Sequence, residues 1–310
     1  MKWLVETLAS RVAGPVRFDE PLAQYTTYRI GGPARALVVP RSTEDVVAVL
    51  QFCNEAAVRW LPLGLGSNVL IDDAGFDGVV IRLGKGSDWI EEVDEDPEIW
   101  RVGAGMPTPR LARSTARAGL SGIHRLVGVP GTVGGGVVMN SGAHGQEFSQ
   151  TVAKVDVVGP GGTVETIPGS DVTWRYRDSG IAGVVVTAAT FRFTPGDPAV
   201  LNREIQRNLA WRKKGTPFDK PCCGSVFRNP RGSDRSAGQL IDGAGMKGLR
   251  IGGAQVSPLH ANYIVNTGGA TATDVKAVIG TVREKVEKEY GIELELEVRI
   301  VDQRGSDPDG

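Results

Sequence analysis

The stretch that most constrains this chain is Val129-Pro-Gly-Thr-Val-Gly-Gly-Gly-Val-Val-Met-Asn-Ser-Gly-Ala-His-Gly145. Glycines this dense disfavour a regular helix or a long strand, because glycine loses more backbone freedom on ordering than any other residue. They suit a backbone that bends sharply and lets another group approach closely. Gly131, Gly134, Gly135 and Gly136 lie beside the Thr132 hydroxyl, and successive free N–H groups there can wrap a phosphate in a backbone nest. The competing reading is a flexible surface connector. Against it, Val133, Val137, Val138 and Met139 should bury the segment, and buried amides need partners that a diphosphate can supply.

A chain of 310 residues can bury at least one large core, and two or three units are plausible. A net charge of -1, with no basic stripe interleaved with aromatics, argues against a general nucleic-acid binder. Cys53 and the adjacent pair Cys222 and Cys223 make neither a disulfide framework nor a CxxC metal site, so no metal is expected. They read as reduced thiols of a cytoplasmic protein. No apolar run approaches the roughly 18 residues of a membrane span, and no signal peptide is evident.

Along the chain, residues 2–9 suit a short amphipathic helix and Ala36–Val39 a strand. Ser42 or Thr43 caps a helix with Val46, Val49, Leu50 and Cys53 on its core face. Trp60–Leu63 is a strand running into Gly64-Leu-Gly-Ser-Asn68. That loop fails the dinucleotide fingerprint, because Val69 stands where a third glycine is required and a strand-like run follows instead of a helix. A Rossmann domain is therefore disfavoured, and a nucleotide held between loops 64–68 and 128–136 fits better. Gly78–Leu83 completes a small α/β unit.

A second unit follows, with strand Ile99–Val102, helix Pro107–Ala118, strands Val152–Val158 and Thr163–Ile167 joined by the Gly159-Pro-Gly-Gly162 hairpin, and strand Val184–Phe193. The last unit holds a helix over Ala199–Lys213, short strands at residues 252–256 and 262–266, and a long helix capped by Thr273 and stopped by Gly291. Over Ile292–Val301, apolar and polar residues alternate as in a strand.

Five motifs now stand in order: Gly64-Leu-Gly-Ser-Asn68, Val129-Pro-Gly-Thr-Val-Gly-Gly135 with Met139-Asn-Ser-Gly142, Tyr176-Arg-Asp-Ser179, Gly224-Ser-Val-Phe-Arg-Asn-Pro230 and Glu297-Val-Arg299. In this order and spacing the chain resembles the UDP-N-acetylenolpyruvoylglucosamine reductase (MurB) family. The resemblance implies an α+β chain: a two-subdomain FAD-binding fold of the vanillyl-alcohol-oxidase (PCMH) type over residues 1–85 and 86–197, a C-terminal α/β substrate-binding domain over 198–303, and a disordered tail over 304–310. The short interval between the Tyr176 and Gly224 motifs resembles the family's shorter type, which lacks an inserted substrate-covering loop.

The resemblance also implies a reaction. A hydride passes from NADPH to non-covalent FAD and on to an enol-ether double bond, converting UDP-N-acetylglucosamine enolpyruvate to UDP-N-acetylmuramate for peptidoglycan synthesis. The carbanion formed beside a carboxylate needs a fixed cation and a proton donor. Ser225 matches the family's proton donor, Arg177 the arginine that holds the enolate, and Glu297 the active-site glutamate. Read locally, Ser225 suits a turn serine, Arg177 a surface strand arginine with Arg175 on the same face, and Glu297 a solvent-exposed carboxylate beside Glu293 and Glu295.

For the cofactor, the matching positions are Gly64, Gly66, Ser67, Asn68, Val129, Pro130, Gly131, Thr132, Gly134 and Gly135. On the substrate side they are Tyr176, Asn229 and His260, the last equally readable as a capped core histidine. Arg212, Lys213, Lys214 and Arg228 are candidates for the UDP diphosphate. Gly136 and Ser141 stand where alanine is expected, both small changes. The partners implied are small molecules only, a UDP-sugar and NADPH, with no nucleic acid and no membrane, and a monomer is expected. Two rivals are a flavin-dependent alcohol or sugar oxidase, with FAD linked to His124 or His144, and a nucleotide-binding module without turnover.

Overall fold

The structure, a computed structural model, describes residues 2–93 and 95–305; the last five residues of the expected tail lie outside the described residues. Seven α-helices are described: α1 (Lys2–Arg11), α2 (Thr43–Glu55), α3 (Thr108–Arg117), α4 (Val133–Val138), α5 (Pro198–Gly215), α6 (Ala237–Gly243) and α7 (Ala272–Tyr290). The chain divides into two compact units that are not linear segments. One gathers the residues up to Asp19, Arg35–Gly64 and Gly78–Arg212; the other gathers Glu20–Ala34, Leu65–Asp77 and the chain from Lys213 onward.

The first unit holds most of a four-stranded sheet in the order Val16–Pro21, Pro33–Val38, Phe76–Arg82, Trp60–Leu63. Trp60 to Leu63 run parallel to Val79 to Arg82, and the link between these two strands is the stretch 64–75, which carries the first glycine loop. Ser42 caps α2 by accepting from the Asp45 amide at 3.4 Å, and Asp45 is buried because its carboxylate receives the Ala13, Gly14 and Arg41 amides. The second sheet of this unit is antiparallel, in the order Val164–Pro168, Val152–Val158, Val185–Arg192, Asp96–Gly103, Ile90–Val93. Both sheets share a core that includes Leu50, Phe52, Val79, Ile81, Trp100, Phe148 and Phe191.

In the second unit, α6 and α7 pack with the three-stranded sheet Arg250–Ile251, Ala254–Val256, Ile264–Asn266. Val275, Val278, Ile279, Val282 and Val286 line the buried stripe of α7, as the periodicity requires, and Gly291 ends it at φ 66°. Its cap is Thr271, not Thr273: Thr271 and Asp274 form a reciprocal capping box, while the Thr273 hydroxyl donates to Asp73 (2.8 Å).

The strand-like run after the first glycine loop is a strand, Val69–Ile71, and it lies outside the Trp60–Leu63 sheet. It pairs in parallel with Arg299–Val301, a partner some 230 residues away that no local pattern can indicate. Of the alternating Ile292–Val301 run, only Arg299–Val301 is laddered strand, although Leu294, Val298 and Ile300 are buried as the alternation demands. The glycine run, expected to resist helix, contains α4 with three consecutive glycines. Packing overrides propensity here. A Cβ on Gly134 would lie 3.0 Å from the Ala104 side chain, and one on Gly136 would lie 2.3–2.8 Å from three ring atoms of Phe148.

Phe148 is fully buried, with its ring 5.8 Å from that of Phe191. Alanine at position 136 is therefore not a small change in this chain. Gly136→Ala is expected to destabilise the protein by up to about 2 kcal/mol. Overpacking costs about 1–3 kcal/mol, offset by about 1 kcal/mol for replacing a helical glycine. Urea unfolding checks this, and adding Phe148→Leu should recover part of the loss.

Candidate functional site

The first unit joins two of the motifs through α4. Its N-terminus is fixed by the Val133 and Gly134 amides, which donate to the Met106 and Ala104 carbonyls at 2.9 Å each. The expected nest of successive free amides is thus not formed at these two positions, because backbone carbonyls satisfy them. Gly135 differs from its neighbours. It is exposed, and a Cβ there would meet nothing nearer than Thr132 Oγ1 at 3.8 Å. The first glycine loop begins at the same place, since a Cβ on Gly64 would stand 2.5 Å from Thr132 Oγ1. Arg82 donates to the Gly64 carbonyl and holds that turn.

Gly131, at φ 138°, gives its carbonyl to the Thr108 amide (3.0 Å). Val129 closes the preceding 3-10 turn by donating to the Leu126 carbonyl (2.8 Å), and Pro130 is exposed. Gly64, Thr132 and Gly135 form a side-chain-free surface with one buried hydroxyl, a lining that suits close approach of a flat ring or a phosphate chain, so the residues present fit a flavin nucleotide.

Tyr176-Arg-Asp-Ser179 is pinned against the same helix. The Ser179 amide and hydroxyl both donate to the Val138 carbonyl (3.1 and 3.0 Å). Asn140, buried at φ 39°, donates through its side chain to the Arg175 carbonyl and accepts from the Ser149 amide, both at 3.0 Å. The segment expected to be extended is instead a tight turn, closed by the Arg175 amide on the Asp178 carbonyl (2.8 Å) and the Asp178 amide on the Arg175 carbonyl (3.2 Å).

Arg175 and Arg177 therefore do not share a strand face. Arg175 is exposed and lies 3.6 Å from Asp178. Arg177 is half-buried at φ 58°, a conformation that costs a non-glycine residue roughly 1 kcal/mol. Its guanidinium lies 4.8 Å from the Tyr176 ring centroid and so close to Gly142 that a Cβ there would stand 3.2 Å from Nη1. Tyr176 itself is exposed.

Behind this cluster His124 is buried, with Nε2 at 3.0 Å from Glu204 and Nδ1 at 3.4 Å from the Gln146 amide nitrogen. Hydrogen bonds from Arg125 and then His124 hold the Glu204 carboxyl down at about 2. Arg212 donates to the Gly128 carbonyl, at the start of the glycine run.

The second unit brings together the remaining motifs. Gly66, at φ 63°, has its carbonyl taken by the Thr27 amide (3.0 Å), and a Cβ there would collide with the Tyr25 carbonyl. Ser67 and Asn68 follow. Asn68 donates to the Glu297 carbonyl (2.9 Å) and accepts from the Arg299 amide (3.0 Å). The Glu297 amide donates to the Val226 carbonyl (2.8 Å), which fixes Glu297 beside the residue that follows Ser225.

Glu297 is half-buried, whereas Glu293 and Glu295 expose 74% of their side chains and pair with Arg283 and Arg228. Burial thus separates the three glutamates that alternation alone left equivalent. Gly224 takes φ 84°, and Ser225 is half-buried in the turn after it. Burial raises all three thiols, Cys53 to about 12, so Cys222 and Cys223 stay protonated beside Ser225.

Asn229 is exposed, and its side-chain oxygen is occupied at the first turn of α6, accepting from the Ala237 amide (3.0 Å), while Ser236 is the cap. His260 is half-buried; its Nδ1 accepts from the Asn262 amide (3.2 Å) and its ring lies 4.9 Å from that of Tyr263. Of the diphosphate candidates here, Lys213 and Lys214 are exposed, and Arg228 reaches Glu295 at 3.7 Å while its Nε is buried with no hydrogen-bond partner among the described residues. No group of three or more potential metal ligands occurs among the described residues, and no described helix is long and apolar enough to cross a membrane. Sequence reasoning passed over Asn140 and Asn262. Both are asparagines whose amides clamp backbone from elsewhere, and no spacing rule marks such a role.

Residues 34–168 match the FAD binding domain family, and residues 216–301 match the family described as UDP-N-acetylenolpyruvoylglucosamine reductase, C-terminal domain. The UDP-N-acetylenolpyruvoylglucosamine reductase of Halalkalibacterium halodurans is 42% identical over 307 residues, covering 98% of this chain and all of that one. That of Bacillus subtilis is 39% identical over 304 residues, covering 97% and 99%. The crystal structure of the Thermus caldophilus reductase superposes with a TM-score of 0.78 at 33% identity, covering 93% of this chain and 98% of that one. At 14% identity, a Phl p 4 variant described as a glucose oxidase shares the fold alone, with a TM-score of 0.50 over 63% of this chain. The chain belongs to the UDP-N-acetylenolpyruvoylglucosamine reductase family.

Proposed function

We propose that this chain is the NADPH-dependent flavoenzyme that reduces UDP-N-acetylglucosamine enolpyruvate to UDP-N-acetylmuramate, acting in the cytoplasm as a monomer. FAD, when bound, supplies a two-electron relay between NADPH and the enol-ether double bond. Gly64, Gly66, Ser67 and Asn68, with Val129, Pro130, Gly131, Thr132, Gly134 and Gly135, are the residues proposed to hold it; the functional division remains 1–85 and 86–197 for the cofactor and 198–303 for the sugar nucleotide. Arg177 holds the carboxylate and the developing enolate in its planar fork. Ser225 is the proposed donor of the proton to the α carbon, and Glu297 the proposed active-site acid. Tyr176, Asn229 and His260 line the substrate side, Asn229 through its side-chain NH2 because its oxygen accepts from the Ala237 amide at the first turn of α6.

The observation that carries this reading is the Glu297 amide on the Val226 carbonyl at 2.8 Å. It joins a donor-bearing turn and an acid from opposite ends of the last 90 or so residues, a placement that a nucleotide-binding module without turnover has no need of. An oxidase with FAD linked to His124 is disfavoured, because hydrogen bonds occupy both of its ring nitrogens. Trichloroacetic acid precipitation should leave the flavin colour in the supernatant. Anaerobic addition of NADPH should bleach the flavin band, and the enolpyruvyl sugar should restore it. A band that NADPH leaves unchanged contradicts the reading.

No second nucleotide-binding domain is evident among the described residues, so NADPH and the sugar nucleotide are proposed to bind in turn. Double-reciprocal plots are expected to be parallel at low substrate, with inhibition when either substrate is in excess. Intersecting plots and a detectable ternary complex would refute the alternation.

A further inference from the structure

We infer that Asn262 is a positioning residue that sets Ser225 and Glu297 for the proton-delivery step, and this inference rests on the roles proposed for those two residues. Asn262 is 4% exposed and makes four hydrogen bonds within one unit. Its side-chain oxygen accepts from the Phe227 amide (2.9 Å) and its side-chain nitrogen donates to the Phe227 carbonyl (2.8 Å). Its own carbonyl accepts from the Val226 amide (2.9 Å), and its amide donates to His260 Nδ1 (3.2 Å). The side-chain amide thus pairs with Phe227 as a neighbouring strand's peptide group would.

The opposite edge of the same segment is held by the 295–298 run. The Glu297 amide meets the Val226 carbonyl (2.8 Å), and the Arg228 amide meets the Glu295 carbonyl (2.9 Å). Val226 and Phe227 are both buried. Ser225 enters this double clamp directly, so the backbone from which its hydroxyl projects is fixed when the next two peptides are held on both sides. Asn262 thereby ties the imidazole to the donor turn that the Glu297 amide holds from the other side. In a neutral ring, the Asn262 amide on Nδ1 leaves the His260 proton on Nε2. A bare backbone loop would keep Ser225 in the same region but not in one orientation, and catalytic geometry is lost with displacements of about 1 Å.

The test uses the FAD-loaded full chain. Asn262→Asp keeps the acceptor for the Phe227 amide but sets a carboxylate oxygen against the Phe227 carbonyl, while Asn262→Ala removes both partners. Flavin reduction by NADPH should stay within about twofold of wild type, while reoxidation by the enolpyruvyl sugar should slow by about tenfold in Asn262→Asp and further in Asn262→Ala. Hydrogen exchange at the Phe227 amide, read by mass spectrometry without turnover, should speed up by about tenfold or more in Asn262→Ala. In a Ser225→Ala background, Asn262→Asp should add less than about twofold, because residues acting through one another are not additive.

Reoxidation near wild type in both Asn262 variants, a parallel fall of both half-reactions, or a full tenfold loss on top of Ser225→Ala would each overturn the inference. If Ser225→Ala cripples reoxidation and the Asn262 variants do not, only the inference fails. If Ser225→Ala itself is harmless, the role proposed for Ser225 fails and takes the inference with it.

Discussion

Arg177→Lys is expected to slow reoxidation by the enolpyruvyl sugar by at least about a hundredfold, the loss typical of removing one oxyanion donor. Arg175→Lys should stay within a few-fold of wild type. Both changes keep the charge, so only a residue that needs the planar, two-pronged fork should suffer. The two arginines now differ in structure as well. Arg175 is an exposed member of a surface pair with Asp178, of a kind worth at most about 1 kcal/mol. Arg177 occupies the left-handed position of the turn, with its guanidinium against Gly142.

An arginine is a costly choice where glycine is easiest, and strain retained in this way points to function. Arg177→Gly separates the two effects. It should hold stability within about 1 kcal/mol, since relief of strain offsets the lost contact with Tyr176, yet abolish the same half-reaction. Bound FAD should stay near normal in all three variants. A sensitive Arg175, or loss of FAD from both lysine variants, would move the active site away from this turn.

Ser225→Ala should leave flavin reduction by NADPH nearly intact and slow reoxidation by about a hundredfold or more, the usual contribution of a positioned acid. The hydroxyl is needed only once the enol ether has accepted a hydride. Cysteine, a better acid of similar reach, should restore part of the rate. The local environment sharpens that arm of the test. Burial pushes the neighbouring Cys222 and Cys223 thiols up, so neither supplies a thiolate that could be mistaken for the new cysteine. Stopped-flow traces of each half-reaction decide the matter, and equal damage to both halves would make Ser225 a structural residue.

Much of the local architecture was legible in residue order. The core stripe of α7, the Gly159–Gly162 hairpin and the strands on either side of it follow from periodicity and turn chemistry, which act between neighbours. Five ordered motifs identified the family and with it the fold and cofactor. The sequence alone also ruled out a Rossmann fingerprint at Gly64–Asn68, and Val69–Ile71 is a strand.

Tertiary structure decided everything that depends on a distant partner. It made a helix of three consecutive glycines, because Ala104 and Phe148 fill the space where side chains at Gly134 and Gly136 would stand. It paired Val69–Ile71 with Arg299–Val301 and moved the α7 cap to Thr271. It turned Arg175 and Arg177 from presumed face-mates into residues with opposite surroundings, and it singled out Glu297 from two other glutamates by burial. The physical reason is the same in each case. Propensity and periodicity are short-range and worth tenths of a kcal/mol per residue, whereas close packing and buried hydrogen bonds depend on which segments meet, and an unmet buried amide costs about 1–3 kcal/mol.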